Sequence, residues 1–226
     1  MNKGAYCQIR ERVQKALERS GRSQGSVRIL PVTKTISPQI IREVYETGER
    51  AFGESRVQEF LGKKPQLPLD IQWHFVGNLQ TNKAKFIVGE VDLIHSLGSI
   101  RLGEALEQEA ERRGERVSCL VQINVSQDPA KGGFKPDEVE VSLDRLQQFR
   151  QLDLKGLMTI GPVTEDVTAI RSSFRGLREL RDRLANCFPA GSFKELSMGM
   201  SGDFEIAIEE GATIIRIGSL LFGDRR

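Results

Sequence analysis

The chain has 226 residues, 28% of them charged and 38% hydrophobic, with a formal net charge of +2. That length can bury one sizeable core or two small ones, and the near balance of charge supplies no field to collect the phosphates of a nucleic acid. Its three cysteines, Cys7, Cys119 and Cys187, suit neither a disulfide framework nor a zinc spacing, and no apolar run approaches the roughly 20 residues of a membrane span.

The N-terminus is charged throughout and has no signal-peptide core, so a cytosolic chain is expected. Residues 1–24 read as a leading helix, with Ile9, Val13, Ala16 and Leu17 at helical spacing before Gly21. A buried strand at 27–32 then stops at Thr33–Lys34–Thr35, and Ser37–Pro38 supply the N-cap and first residue of a helix. The lysine at this handover has two readings. It snorkels its ammonium to solvent, or it is desolvated on one side, which lowers its pKa and frees the amine to attack a carbonyl.

Ile40, Ile41, Val44 and Tyr45 form the next apolar helix face, ending at Gly48. A short strand through Ala51–Phe52 reaches GESR at 53–56, and Val57, Phe60 and Leu61 begin another helix. A strand at 71–77 is centred on Trp73, a brief helix is expected over 79–88, and a strand at 91–97 precedes a helix carrying Leu102, Leu106 and Ala110. Strands at 117–125, 154–160, within 193–200 and at 212–218 continue the rhythm. Between them lie helices marked by Val139 to Phe149, by Ile170 to Leu184 and by the segment after Gly202.

Eight strands, each followed by a helix or helical turn, mean parallel pairing and right-handed crossovers. The expected class is α/β, a single-domain (β/α)8 TIM barrel over 25–226 behind an extra N-terminal helix. An open doubly wound sheet is the alternative, but no GxGxxG follows the first strand.

Sites in such barrels lie at the C-terminal strand ends, and strands seven and eight often build a phosphate site there. Here the loop after strand seven runs Ser197–Met198–Gly199–Met200–Ser201–Gly202, and Gly218–Ser219 follow strand eight. Arg216 shares a strand face with Gly218. Asp203 and Glu205 would repel an anion unless they point away. Each loop alone is a tight turn with an N-cap; together with Lys34 they suit a phosphorylated aldehyde.

These segments resemble the pyridoxal 5′-phosphate homeostasis proteins, the YggS/PROSC family, similar to the N-terminal half of alanine racemase. The resemblance rests on VTKT at 32–35, FGESRVQE at 52–59, HFVGNLQTNK at 74–83, LIHSL at 93–97, VQINVS at 121–126 and KGGF at 131–134. It continues through GLMTI at 156–160, LSMGMSGDFEIAI at 196–208 and IRIGSLLFG at 215–223. Where the family usually has Asn, this chain has Ser55.

The resemblance implies a fold-type III barrel binding pyridoxal 5′-phosphate, with Lys34 holding it as a Schiff base. Ser201, Gly218 and Ser219 would receive the phosphate, with Ser197 and Met200 lining the loop. Arg216 would face the pyridine nitrogen; a donor that keeps its proton opposes ring protonation and makes a poorer electron sink. Asn78, Met158 and His74 would wall the pocket, although His74 also reads as an ordinary strand histidine with a satisfied hydrogen bond. His95 reads as structural, and Lys83 and Lys85 as solvated helix-face charges.

Two functions compete on this sequence. A carrier would buffer the cofactor and pass it to apo-enzymes, as a monomer without appreciable catalysis. A racemase needs a second base, which the racemases supply as a tyrosine from a C-terminal domain. The chain runs only to Arg226, and its two tyrosines, Tyr6 and Tyr45, fall on outer helices, so the carrier is expected. A class I aldolase is disfavoured because no carboxylate pairs with Lys34 at a fixed spacing.

Overall fold

The computed structural model describes residues 3–126 and 128–223. The ends of the expected spans, residues 1–2 and 224–226, lie outside the described residues. Helix α1 (Lys3–Arg19) comes first, shorter than the expected 1–24 because Gly21 at φ +64 turns the chain away.

The strands are β1 (Arg28–Pro31), β2 (Ala51–Glu54), β3 (Gln72–Phe75), β4 (Leu93–Leu97), β5 (Val117–Gln122), β6 (Leu152–Met158), β7 (Glu195–Ser197) and β8 (Ile214–Ile217). Between them run α2 (Pro38–Tyr45), α3 (Val57–Lys63), α4 (Ile100–Arg113), α5 (Val139–Leu146), α6 (Val167–Leu184) and α7 (Phe204–Glu209), with α8 (Ser219–Phe222) after the last strand. The expected helix over 79–88 is instead a 3₁₀ turn at Thr81–Phe86. Its one fully buried residue is Ala84, and so short an apolar stripe gives little packing energy to extend a helix.

All eight strands pair in parallel in the order β1-β8-β7-β6-β5-β4-β3-β2. The circle closes where Val32 bridges Gly53 and the Thr33 N–H donates to the Gly53 carbonyl at 2.8 Å. This is a (β/α)8 barrel, as the alternation implies. Ser37 and Pro38 open α2 as expected.

Two cores follow from the period-two alternation of the strands. The outer one fills the space between sheet and helices, where Trp73 meets the Phe60 ring edge-on at 5.5 Å between centroids. Inside the barrel, Leu30, Ala51, Leu93, Leu120, Met158 and Ile214 form a smaller apolar plug. Helix α1 packs on α7 and α8, tied there by Arg12 to Glu205 at 3.1 Å and Arg19 to Glu209 at 2.8 Å. On the other side of α7, the buried Glu210 carboxylate accepts from Arg171, Arg175 and Arg178 of α6.

The loops leaving β2 and β3 approach so closely that a Cβ at Gly77 would sit 2.0 Å from the Ser55 carbonyl oxygen. Both neighbours are backbone, so neither can yield cheaply. Gly77→Ala should therefore cost about 1–3 kcal/mol or more. By contrast Gly62→Ala on α3, with nothing within 4 Å, should gain about 0.5–1 kcal/mol from helix propensity. Urea midpoints check the pair, and equal shifts in the two variants would contradict the close approach.

Candidate functional site

The C-terminal strand ends carry most of the residues singled out from the sequence. Val32 is the last inward residue of the first strand, and Lys34 follows it two positions later at the barrel mouth. Lys34 is exposed, and its ammonium has no partner among the described residues. Of the two readings of this lysine, its exposure is that of a side chain reaching solvent at a strand end.

The loop that bears Lys34 is fixed from beneath. Lys63 of α3 donates to the Thr33 carbonyl at 2.8 Å, to Glu54 at 2.7 Å and to Glu59 at 2.7 Å. Glu59 also accepts the Thr35 N–H at 2.6 Å. Burial alone would raise the Glu59 pKa, but Lys63 and that N–H outweigh it and lower the value. Thr35 stands at φ +65, a left-handed conformation unusual for a β-branched residue. Such backbone costs about 1–3 kcal/mol and persists only where the surroundings impose it. The Lys63 network is what imposes it.

Next to β1 lie β8 and β7, whose loops form one cradle. The Ser201 hydroxyl oxygen accepts from the Gly218 N–H at 3.4 Å and the Leu220 N–H at 3.3 Å, joining the two loops. Gly199, at φ +87, lets the first loop fold against α7: a Cβ there would lie 2.5 Å from the Ala207 Cβ. The backbone N–H groups of Ser201, Gly202 and Ser219 have no acceptor among the described residues, and the hydroxyls of Ser201 and Ser219 lie beside them in sequence. Such a concentration of donors suits the terminal oxygens of a phosphate.

The two acids that threatened an anion are accounted for. Glu205 pairs outward with Arg12. Asp203 accepts the Met200 N–H at 2.5 Å, and its pKa is raised by burial. Met200 itself is exposed.

Below the cradle, Arg216 is almost wholly buried inside the barrel. It donates from Nη1 to the Ser197 carbonyl at 2.9 Å and the Ser197 hydroxyl at 2.7 Å, and from Nη2 to the Thr159 carbonyl at 2.8 Å. Its remaining N–H groups have no acceptor among the described residues. Burial pulls this guanidinium down to about 10, opposed by the Asp203 charge, so it stays protonated at neutral pH.

Two expected site residues fall elsewhere. Ser197 was expected to line the anion loop, but it points into the barrel, where its hydroxyl belongs to Arg216 and to His95 Nδ1 at 2.8 Å. Of the two readings of His74, the structure has the strand histidine with a satisfied hydrogen bond: it lies inside the barrel with Nδ1 2.9 Å from His95 Nε2 and lines the opposite end. Alternation along a strand tells which face a residue lies on but not its height between mouth and floor, and height is what separates both from the mouth. Met158 belongs to the apolar plug at the top of β6, while Asn78 is exposed on the loop after β3. Ser55 stands at the mouth after β2. The sequence reading missed Glu54 and Lys63; the i,i+4 spacing of Glu59 and Lys63 on α3 was the available signal.

With this geometry in hand, comparison with known proteins gives a consistent result. A family model described as the N-terminal domain of alanine racemase matches residues 6–226. A protein of Aquifex aeolicus named pyridoxal phosphate homeostasis protein is 45% identical over 219 residues, covering 96% of both chains. The structure of PipY of Synechococcus elongatus with PLP bound is 38% identical, with a TM-score of 0.82 over 95% of this chain and 100% of that one. An alanine racemase of Clostridium difficile shares the fold at 15% identity, with a TM-score of 0.69 over 95% of this chain and 56% of that one.

The interior histidines make stability depend on pH. Burial, with Arg28 nearby, holds His74 down at about 3 from its ordinary 6.5, and burial also pushes His95 well below that value. Folded His74 stays neutral where the unfolded chain takes up a proton. Its contribution is therefore complete above about pH 6.5 and is lost as pH falls toward about 3. From His74 alone, the unfolding free energy should drop by about 2 kcal/mol between roughly pH 7 and pH 5, with His95 adding in the same direction. Urea titrations at the two pH values read this directly; an unchanged midpoint would contradict neutral buried rings.

Proposed function

The chain belongs to the pyridoxal phosphate homeostasis protein family, and on that premise we propose that it binds pyridoxal 5′-phosphate at the barrel mouth and hands it to apo-enzymes without turning over substrates of its own. The observation that carries the reading is the joined cradle of β7 and β8, with its free N–H groups beside the strand that presents Lys34.

The residues fit the cofactor's functional groups one by one. Ser201 and Ser219 would hold the phosphate through their hydroxyls and free amides, and Gly218, whose N–H is shared with the Ser201 hydroxyl at 3.4 Å, would line the same cradle with Met200. Charge-assisted bonds of this kind contribute about 1.5–3 kcal/mol each. Lys34, exposed and free of ion pairs among the described residues, presents its amine to the aldehyde carbon. Arg216 would offer its remaining donors to the ring nitrogen, and Met158 would support the ring from the apolar plug. Asn78, on the β3 loop, closes one side. Bound cofactor supplies an electron-accepting ring and a reactive carbonyl. A guanidinium that keeps its proton leaves the ring nitrogen unprotonated and blunts that electron demand.

Carrying rather than catalysis is supported by where the tyrosines lie. The Tyr6 hydroxyl donates to Glu49 at 2.5 Å and that of Tyr45 to Asp70 at 2.7 Å. Both acceptors precede strands, at the barrel end opposite Lys34. Neither hydroxyl can serve as a second acid–base group over the mouth, and losing one such group typically forfeits about 10²–10⁴ in rate.

The setting we propose is a cytosolic monomer. No described helix is long and apolar enough to cross a membrane. Cys7, Cys119 and Cys187 are free thiols, as a reducing compartment favours. The most exposed large apolar residues, Leu69, Val163 and Val141, lie on the loop before β3, on the loop after β6 and on α5.

The test pairs two measurements on the cofactor-loaded protein. Proton–deuterium exchange at Cα of L-amino acids in heavy water should be slow or absent, while an apo-enzyme mixed with the loaded protein should regain activity. Rapid exchange with many turnovers per cofactor would place the chain among the enzymes instead.

A further inference from the structure

At the N-terminal strand ends, opposite Lys34, the barrel opens into a cavity of about 430 Å³. Arg28, Lys155 and Lys194 line it together with Asp92, Glu195 and His74. Lys155 is taken by Asp153 at 2.5 Å. Asp92 accepts the Trp73 N–H at 2.7 Å, and Glu195 accepts from the Thr213 hydroxyl. The Arg28 guanidinium and the Lys194 ammonium have no hydrogen-bond or ion-pair partner among the described residues. The size is that of a small-molecule site. Charge at its rim alone would not make it one.

The second observation is His74. It is 2% exposed and its Nδ1 bonds His95, so its Nε2, on the far side of the ring, faces the cavity and has no partner among the described residues. Whether that nitrogen carries a proton is settled 3 hydrogen bonds away. Arg216 can only donate, and it donates to the Ser197 hydroxyl oxygen. The Ser197 proton must then go to the one acceptor left to it, His95 Nδ1. His95 therefore carries its proton on Nε2 and gives it to His74 Nδ1. His74 is left with its own proton on Nε2, pointing into the cavity. The reverse order would leave the buried Ser197 hydroxyl proton with no acceptor among the described residues, a costly arrangement.

A cavity that presents an N–H, a guanidinium and a free ammonium selects an acceptor. We infer that this N-terminal cavity is a second ligand site for a small oxyanion, a phosphate or a carboxylate, held by Arg28, Lys194 and His74 Nε2–H. The cations of the rim draw the anion in, and the buried N–H fixes its orientation. The same chain of hydrogen bonds ties the site to Arg216, so an oxyanion at the lower end holds the Ser197 hydroxyl in the orientation the guanidinium requires.

The chain contains two histidines, His74 and His95, so a long-range proton–nitrogen spectrum of untagged, histidine-labelled protein shows only these rings. The cofactor-free protein is used, which keeps the outcome separate from the proposal for the mouth. Both rings should be neutral Nε2–H tautomers. Titration with inorganic phosphate or with acetate should shift His74 saturably, and the tighter of the two probes names the source of the oxyanion. Arg28→Ala should weaken that binding about tenfold or more, as loss of one charge-assisted bond requires. Arg28 is exposed at the start of its strand, and Lys194→Ala gives a second variant outside the core. A His74 proton on Nδ1, a His74 signal that neither anion moves, or unchanged affinity in both variants would overturn the inference.

Discussion

A charged guanidinium inside a closed barrel constrains everything around it. Taking a charge out of water costs several kcal/mol unless acceptors replace the lost hydration. Arg216 finds those acceptors in the Ser197 carbonyl and hydroxyl and in the Thr159 carbonyl. The Ser197 carbonyl is shared, since it also accepts the Thr159 N–H at 3.1 Å where β6 and β7 end. The hydroxyl in turn orients His95, and His95 orients His74. An apolar plug and a polar thread thus share the barrel interior, each placed by the alternation of the strands. In the proposed function the same arginine sets how the cofactor ring behaves, so the cost of burying it is offset by control over the chemistry above.

A second buried charge governs the lysine-bearing loop. Lys63 is 8% exposed and bridges the end of β2, the start of α3 and the carbonyl of Thr33. Its removal would leave Glu54 as an unpaired buried carboxylate, a loss that typically costs about 3–5 kcal/mol. The network therefore keeps Thr35 in its strained conformation and points Lys34 away from the sheet. The two buried cations have different tasks. In the proposed function Lys63 would fix where the Lys34 amine stands, and Arg216 would tune the bound ring. An exposed lysine on a rigid loop, above an arginine that keeps its proton, suits holding and releasing a cofactor better than turning over substrates.

Much of this was legible in the sequence because two periods dominate it. Apolar runs alternating with helical stripes required parallel strands, and eight of them required closure. The lysine at the first strand end and the glycine–serine loops at the last two stood out because turns need glycine and an anion needs small, donor-rich loops. Strand ends were harder to read. After Lys194 and Glu195 the run 196–200 is apolar or small, so nothing in it marks the point where Ser197 turns inward and Met200 outward. His74 shares its strand face with Gln72 and Val76, and that alternation gives the face but not the height between mouth and floor. Glu54 and Lys63 were missed for another reason. A buried ion pair is written as ordinary surface residues, and only the fold brings Thr33, Glu54 and Glu59 around one ammonium.

If the first strand delivers a single anchoring lysine to a phosphate-binding mouth, borohydride should trap the cofactor on Lys34 alone. The protein loaded with pyridoxal 5′-phosphate is reduced, digested and mapped by mass spectrometry, beside a Lys34→Ala variant treated in the same way. The account predicts the cofactor mass on the peptide containing Lys34 and no covalent label in the variant, whose far-ultraviolet spectrum remains that of the folded barrel. Label on another lysine, or a variant that traps the cofactor as well as the parent, would contradict it.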